Sequence, residues 1–209
     1  VQPDYCFNLH DQRTIFGVGT SGKPATVSFL APAADSNASI TPSRKIAMGL
    51  ISHMSSVLNT LISGQIGRFD DTFNPNCVGD TFQSLEVPTI LFESGHYPRD
   101  YQREETRKLI CFALLTALTS ISNATHQDTV GSYFDIPENH QNFVDLIVTN
   151  VPIQQETGVS VESVAIQFQE KLGNHKVEWV PIYQAKGDLS SIFAHQIIDF
   201  SELKNPDFT

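Results

Sequence analysis

Two residues stand where the chain could hold a reactive pair. His10 closes the run DYCFNLH (4–10), in which Tyr5, Phe7 and Leu9 alternate with other residues as on a strand. Glu93 closes VPTILFE (87–93), a near-continuous apolar run of the kind a central strand shows when both its faces are buried. In open α/β sheets, ligands bind outside the carboxyl ends of strands, so a His and a Glu at two such ends can face one cleft. A neutral imidazole is a good zinc ligand, and a carboxylate beside a metal-bound water is a general base. A strand-end His is otherwise an ordinary surface residue. Glu93 is harder to dismiss, because a carboxylate buried alone is costly and must be paired or used. His96, three residues beyond Glu93, is placed to orient that carboxylate.

Other chemistries find less support. No G-x-S-x-G elbow occurs, and Gly17-Val-Gly19 is too short for a phosphate loop. Cys6, Cys77 and Cys111 are three, with no CxxC, which argues against a disulfide scaffold and a cysteine-built zinc site. His175-Lys-Val-Glu178 spells H-x-x-E but lies in an alternating pattern, where positions i and i+3 point to opposite faces. His126, His140 and His195 complete no ligand spacing.

The elements that must position the pair follow from periodicity. Residues 17–40, rich in Gly, Ser, Ala and Pro, read as a long loop, and residues 64–86 as a second one. Between them, Thr41 as N-cap, Pro42 at the first helical position and Ile46, Leu50, Ile51, Met54, Leu58 and Leu61 predict an amphipathic helix over 42–62. Asp100 caps a second predicted helix, 101–122, with Glu104 and Glu105 at its positive end. Beyond Asn123 the runs SYFDI, FVDLIVTNVPI, VESVAIQFQE, KVEWVPIYQ and AHQIIDF alternate and are separated by turn signals, which predicts antiparallel strands. The expected class is α/β, with a domain over 1–124 and a small antiparallel β domain over 125–209.

Composition narrows the partners. The formal net charge of −10 argues against a nucleic-acid binder. No apolar run reaches the ~18 residues of a membrane span. The N-terminus VQPDYCFNLH does not read as a signal peptide, and the unpaired cysteines fit a cytoplasmic protein.

PTILFESGHYPRDYQREETRKLICFALLTAL (88–118) resembles the catalytic-glutamate strand and following helix of zinc carboxypeptidases, in the bacterial branch of the carboxypeptidase A-like family. FNLHDQRTIFGVG (7–19) resembles that branch's strand bearing the third zinc ligand, and GRFDDTFNPNCVGDTFQ (67–83) the loop before the glutamate strand. Residues 125–209 are similar to the small β extension that follows the catalytic domain. The resemblance implies a mixed-sheet α/β domain and one zinc ion in the complete protein. His10 would be a metal ligand, Glu93 the general acid/base, and loop 67–83 the lining of the side-chain pocket. Arg13, Arg68 and Arg99 are candidates for holding a substrate carboxylate, since guanidinium binds carboxylate in a planar fork.

The sequence also departs from the family. Its other two zinc ligands come from an H-x-x-E motif upstream of the third, and only nine residues precede His10. An upstream Asn–Arg substrate pair is missing for the same reason, and Phe69, Phe73 and Phe82 stand where a Tyr is usual. The expectation is therefore the C-terminal half of a catalytic domain plus its extension, inactive alone. Such a chain leaves a strand edge and a helix face uncovered, and self-associates or binds the missing half. The implied substrate is a peptide or an acyl-amino acid. The rival readings are an acylamino-acid deacylase of the aspartoacylase and succinylglutamate desuccinylase type, and a non-catalytic interaction module.

Overall fold

The computed structural model describes residues 3–125 and 130–203. They divide between two compact units, Val1–Gln141 and Asn142–Thr209. The first is built on a four-stranded mixed sheet. Its strands are β1 (Cys6–Asp11), β3 (Val27–Leu30), β4 (Ile66–Arg68) and β5 (Thr89–Ser94), in the order β1-β5-β3-β4. β5 is internal, parallel to β1 and antiparallel to β3, and its first five residues are all buried. That matches the unbroken apolar run from which a central strand was expected.

Register assigns the side chains to faces. Phe92 pairs with Leu9 and Phe29, so these point to one side, where Phe92 meets Phe7 and Phe29 edge-on at 5.3 and 5.4 Å. Helices α1 (Pro42–Asn59) and α3 (Glu104–Ser122) cover this side with Met48, Leu50, Ile51, Met54, Leu109, Ala113 and Ala117. α1 starts as its sequence demands: the Thr41 hydroxyl accepts from Arg44 N at 3.3 Å, with Pro42 at the first helical position. Asp100 does the equivalent for α3, accepting from the amides of Glu104 and Thr106 at 2.9 and 3.0 Å.

Three sequence expectations change here. The stretch 17–40 contains the end of β2 (Phe16–Val18) and all of β3, which is buried from end to end. Four residues among glycines and prolines are too few to show a period. The stretch 64–86 likewise contains β4 and α2 (Val78–Ser84). SYFDI, expected as a strand, belongs largely to α4 (Val130–Phe134), whose Tyr133 is fully buried and accepts from Ala31 N at 3.2 Å. α4 and β6 (Asn139–Gln141), which pairs with β2, belong to the first unit. The junction is therefore at 141/142 and not near 125–130, part of which lies outside the described residues, as does His126.

The second unit is a sheet of order β10-β7-β8-β9, from β7 (Phe143–Gln155), β8 (Gly158–Gly173), β9 (Lys176–Lys186) and β10 (Phe193–Asp199). β7, β8 and β9 are antiparallel neighbours as expected, whereas β10 runs parallel to β7. The β8–β9 turn is Asn174–His175, both at positive φ, a two-residue hairpin loop. His175 is thus in a turn and Glu178 on a strand, which removes the H-x-x-E as a ligand pair.

Two apolar surfaces stay open. In the first unit β1 is an edge strand, and α3 exposes Phe112, Leu115 and Leu118 on a second stripe beside its buried one. In the second, Leu172, Val177, Trp179 and Tyr183 are all exposed on the β8–β9 hairpin. Among the described residues no helix is long and apolar enough to cross a membrane.

Candidate active site

His10 and Glu93 are direct partners in the parallel β1–β5 ladder, each one residue before the end of its strand. Their side chains therefore emerge together on the face away from α1 and α3, with His10 Nδ1 3.7 Å from Glu93 Oε1. The imidazole is half exposed, while the carboxylate side chain is 8% exposed. Glu93 has no hydrogen bond among the described residues. Burial, aided by the neighbouring charge of Asp11, pushes its carboxyl up from the usual range to about 7.

The row continues across the sheet. Glu93 pairs with Ser28 on β3, and Ser28 with Gly67 on β4, so all four positions share one face. Over the far end lies Asn139, and a Cβ on Gly67 would stand 1.8 Å from its Oδ1. Only a residue without a side chain lets Asn139 sit there. The Asn139 Nδ2 donates to Gln12 Oε1 at 2.8 Å and lies 2.9 Å from Ser28 Oγ, and Gln12 Nε2 donates to Ala25 O at 3.0 Å. One amide–hydroxyl chain thus ties together the ends of β1, β3 and β6 beside Glu93. Sequence reading missed it, because Gln12, Ser28 and Asn139 are far apart in the chain and unremarkable singly.

Two more devices hold the strand ends. Gly95 follows β5 where a Cβ would lie 1.8 Å from Ala25 O, so the chain leaves Glu93 through a position that only glycine fills. Arg103, also unread from sequence, donates from Nη2 to Asp11 Oδ1 at 2.6 Å and to Ser94 O at 2.5 Å. It bridges the residues immediately after His10 and Glu93.

The other expected site residues are scattered. His96 is buried, its carbonyl accepting from Thr26 Oγ1 at 2.9 Å and its ring edge-on to Tyr101 at 5.5 Å. Arg13 lies exposed just past β1, and Arg99 is exposed at φ 63° in the turn before α3. Arg68 pairs with Phe29, one position out of the Glu93 row, so it points to the opposite face. There it binds Glu138 at 2.6 Å and lies over the Tyr133 and Phe134 rings at 5.6 and 5.5 Å. β4 ends at Arg68, level with Phe92, and runs antiparallel to β5, so the loop after it sets off toward the start of β5 rather than past Glu93. α2 returns to the Glu93 face lower down, with Gly79 beside Pro32 and Asn8.

A zinc ion does not fit the residues described. A catalytic zinc takes three protein ligands and a water, and no group of three His, Cys, Asp or Glu among the described residues could hold a metal. Comparison with family models, with curated proteins and with solved structures returned no match.

Proposed function

We propose that this chain carries the proton-transfer part of a hydrolase of the zinc carboxypeptidase type, acting on a C-terminal peptide bond. The observation that supports the reading most is the His10–Glu93 pair, set side by side at two parallel strand ends with the carboxylate buried and unbonded. A carboxyl held near 7 is matched to general acid/base work at neutral pH: ionised, it takes the proton of an attacking water, and protonated, it returns that proton to the leaving amine. His10, at 3.7 Å and open to solvent on its other side, is the group that would share a metal with ligands not found among the described residues. The chain by itself is expected to be inactive.

The test measures zinc per chain in the purified protein and hydrolysis of a blocked dipeptide and of an N-acyl amino acid. The expected result is near-zero zinc and no turnover. Zinc near one per chain that survives His10→Ala, or dipeptide hydrolysis that survives Glu93→Gln, overturns the residue roles. Cleavage of the acyl amino acid alone moves the reading to the deacylase type. A docking role for the second unit draws support from the exposed Leu172, Val177, Trp179 and Tyr183, and is compatible with either activity.

A further inference from the structure

A cavity of about 490 Å³ lies in the first unit between α1 and the segment 132–137, sharing no residue with the His10–Glu93 pair. Its size is that of a small-molecule site, which runs from about 300 to 1,000 Å³. Its floor is apolar, formed by Val18, Ile66, Ile136 and Pro137. Its wall is a hydrogen-bonding stripe of α1: Ser52, Ser56 and Asn59 recur at helical spacing, with His53 and Ser55 between them. A helix face turned inward is ordinarily apolar, as the Met48, Ile51, Met54 and Leu58 face of the same helix is.

Two groups on this wall have capacity to spare. Ser55 is more than nine-tenths buried, and its hydroxyl has no hydrogen-bond partner. Burying a hydroxyl unpaired is unfavourable; the oxygen lies beneath the wall surface and meets a bound molecule by rotating about its single χ1. Asn59 accepts from Gly64 N at 3.0 Å through Oδ1, which leaves its NH2 to donate. Among the described residues the lining holds one carboxylate, Asp135, and neither lysine nor arginine; nearby Lys23 donates its ammonium to Ser63 O at 2.8 Å. Among the described residues an anion would find only the His53 imidazole in the lining, with the Lys23 ammonium already held by Ser63 O. Hydroxyls would find acceptors and donors, and the C–H face of a ring would find the apolar floor.

We infer that this cavity is a binding site for a neutral polyhydroxylated molecule of sugar size, with Ser55, Asn59 and Asp135 as its hydrogen-bonding contacts. Amide spectra of the full chain, titrated with glucose, galactose and mannose and separately with inorganic phosphate and ethylamine, test it. The expected result is a saturable millimolar response to at least one of the sugars at Ser55, Asn59, Ser132 and Asp135. It should weaken about fivefold or more in Asp135→Asn, and phosphate and ethylamine should leave those amides unmoved. Ser55→Ala should weaken binding without lowering the thermal midpoint, because the hydroxyl it removes has no partner to lose. Asp135 is exposed at the rim, so its variant keeps the fold if Ser55→Ala does not. No saturable response to any of the three sugars at about 100 mM, or a response to phosphate or ethylamine alone, overturns the proposal.

Discussion

Arg44 and Glu93 are both charged residues buried against the same sheet, and they are treated in opposite ways. Arg44 is 1% exposed. Its Nε donates to Ala31 O at 3.1 Å, its Nη1 to Ala38 O at 2.5 Å and its Nη2 to Asp71 Oδ2 at 2.6 Å. Two of the bonds hold the stretch between β3 and α1 and the third holds the stretch after β4, so the guanidinium acts as an internal clamp for two irregular stretches. Glu93 is nearly as buried, and among the described residues it has no hydrogen bond and no partner of opposite charge closer than the His10 ring at 3.7 Å. A satisfied buried charge is architecture. An unsatisfied one raises the energy of the fold, and such residues cluster where a protein does chemistry.

Breaking the clamp has the largest expected effect. Arg44→Leu strands the Asp71 carboxylate and two carbonyls, and urea denaturation should show a loss of about 3–5 kcal/mol. A loss below about 1 kcal/mol would make the clamp ornamental. Next comes the wall beside Glu93. Gly67→Ala forces a methyl into Asn139 Oδ1 and should cost about 1–3 kcal/mol, most of it recovered in the Gly67→Ala, Asn139→Gly double variant. Purely additive losses would mean that the two positions do not compete for one space.

The third effect carries the opposite sign and sharpens the contrast most. With its carboxyl raised from 4.5 to about 7, the native state holds the Glu93 proton more tightly than the unfolded chain does. Stability attributable to this group is therefore highest below pH 4.5 and falls as pH rises to about 7. Glu93→Gln should stabilise the protein at pH 8 by about 2 kcal/mol, after allowance for screening on the open side of the site. That gain should vanish at pH 4. A destabilised Gln variant at pH 8 would show Glu93 to be a paired structural carboxylate like Asp71.

Much of the scaffold was legible because it repeats. The 42–62 helix carries its cap, its proline and a continuous apolar stripe, and the structure places it at Pro42–Asn59. β5 is a single unbroken apolar run, so its central place could be read directly. Strands β2, β3, β4 and β6 were not legible, since three or four residues cannot establish a period. α4 was misread because five residues suit either repeat.

Within the site, the sequence by itself determined the chemistry on offer. It shows a histidine and a glutamate each closing an apolar strand, and chain direction puts both at carboxyl ends. Tertiary structure decided who stands beside whom. Register aligned His10 with Glu93 and with Ser28, and put Arg68 one position out of the row, on the opposite face. Long-range hydrogen bonds brought Gln12, Asn139 and Arg103 to the strand ends. The physical reason is that the side-chain period of a strand is local, whereas the partner across a ladder is selected by packing of the whole sheet.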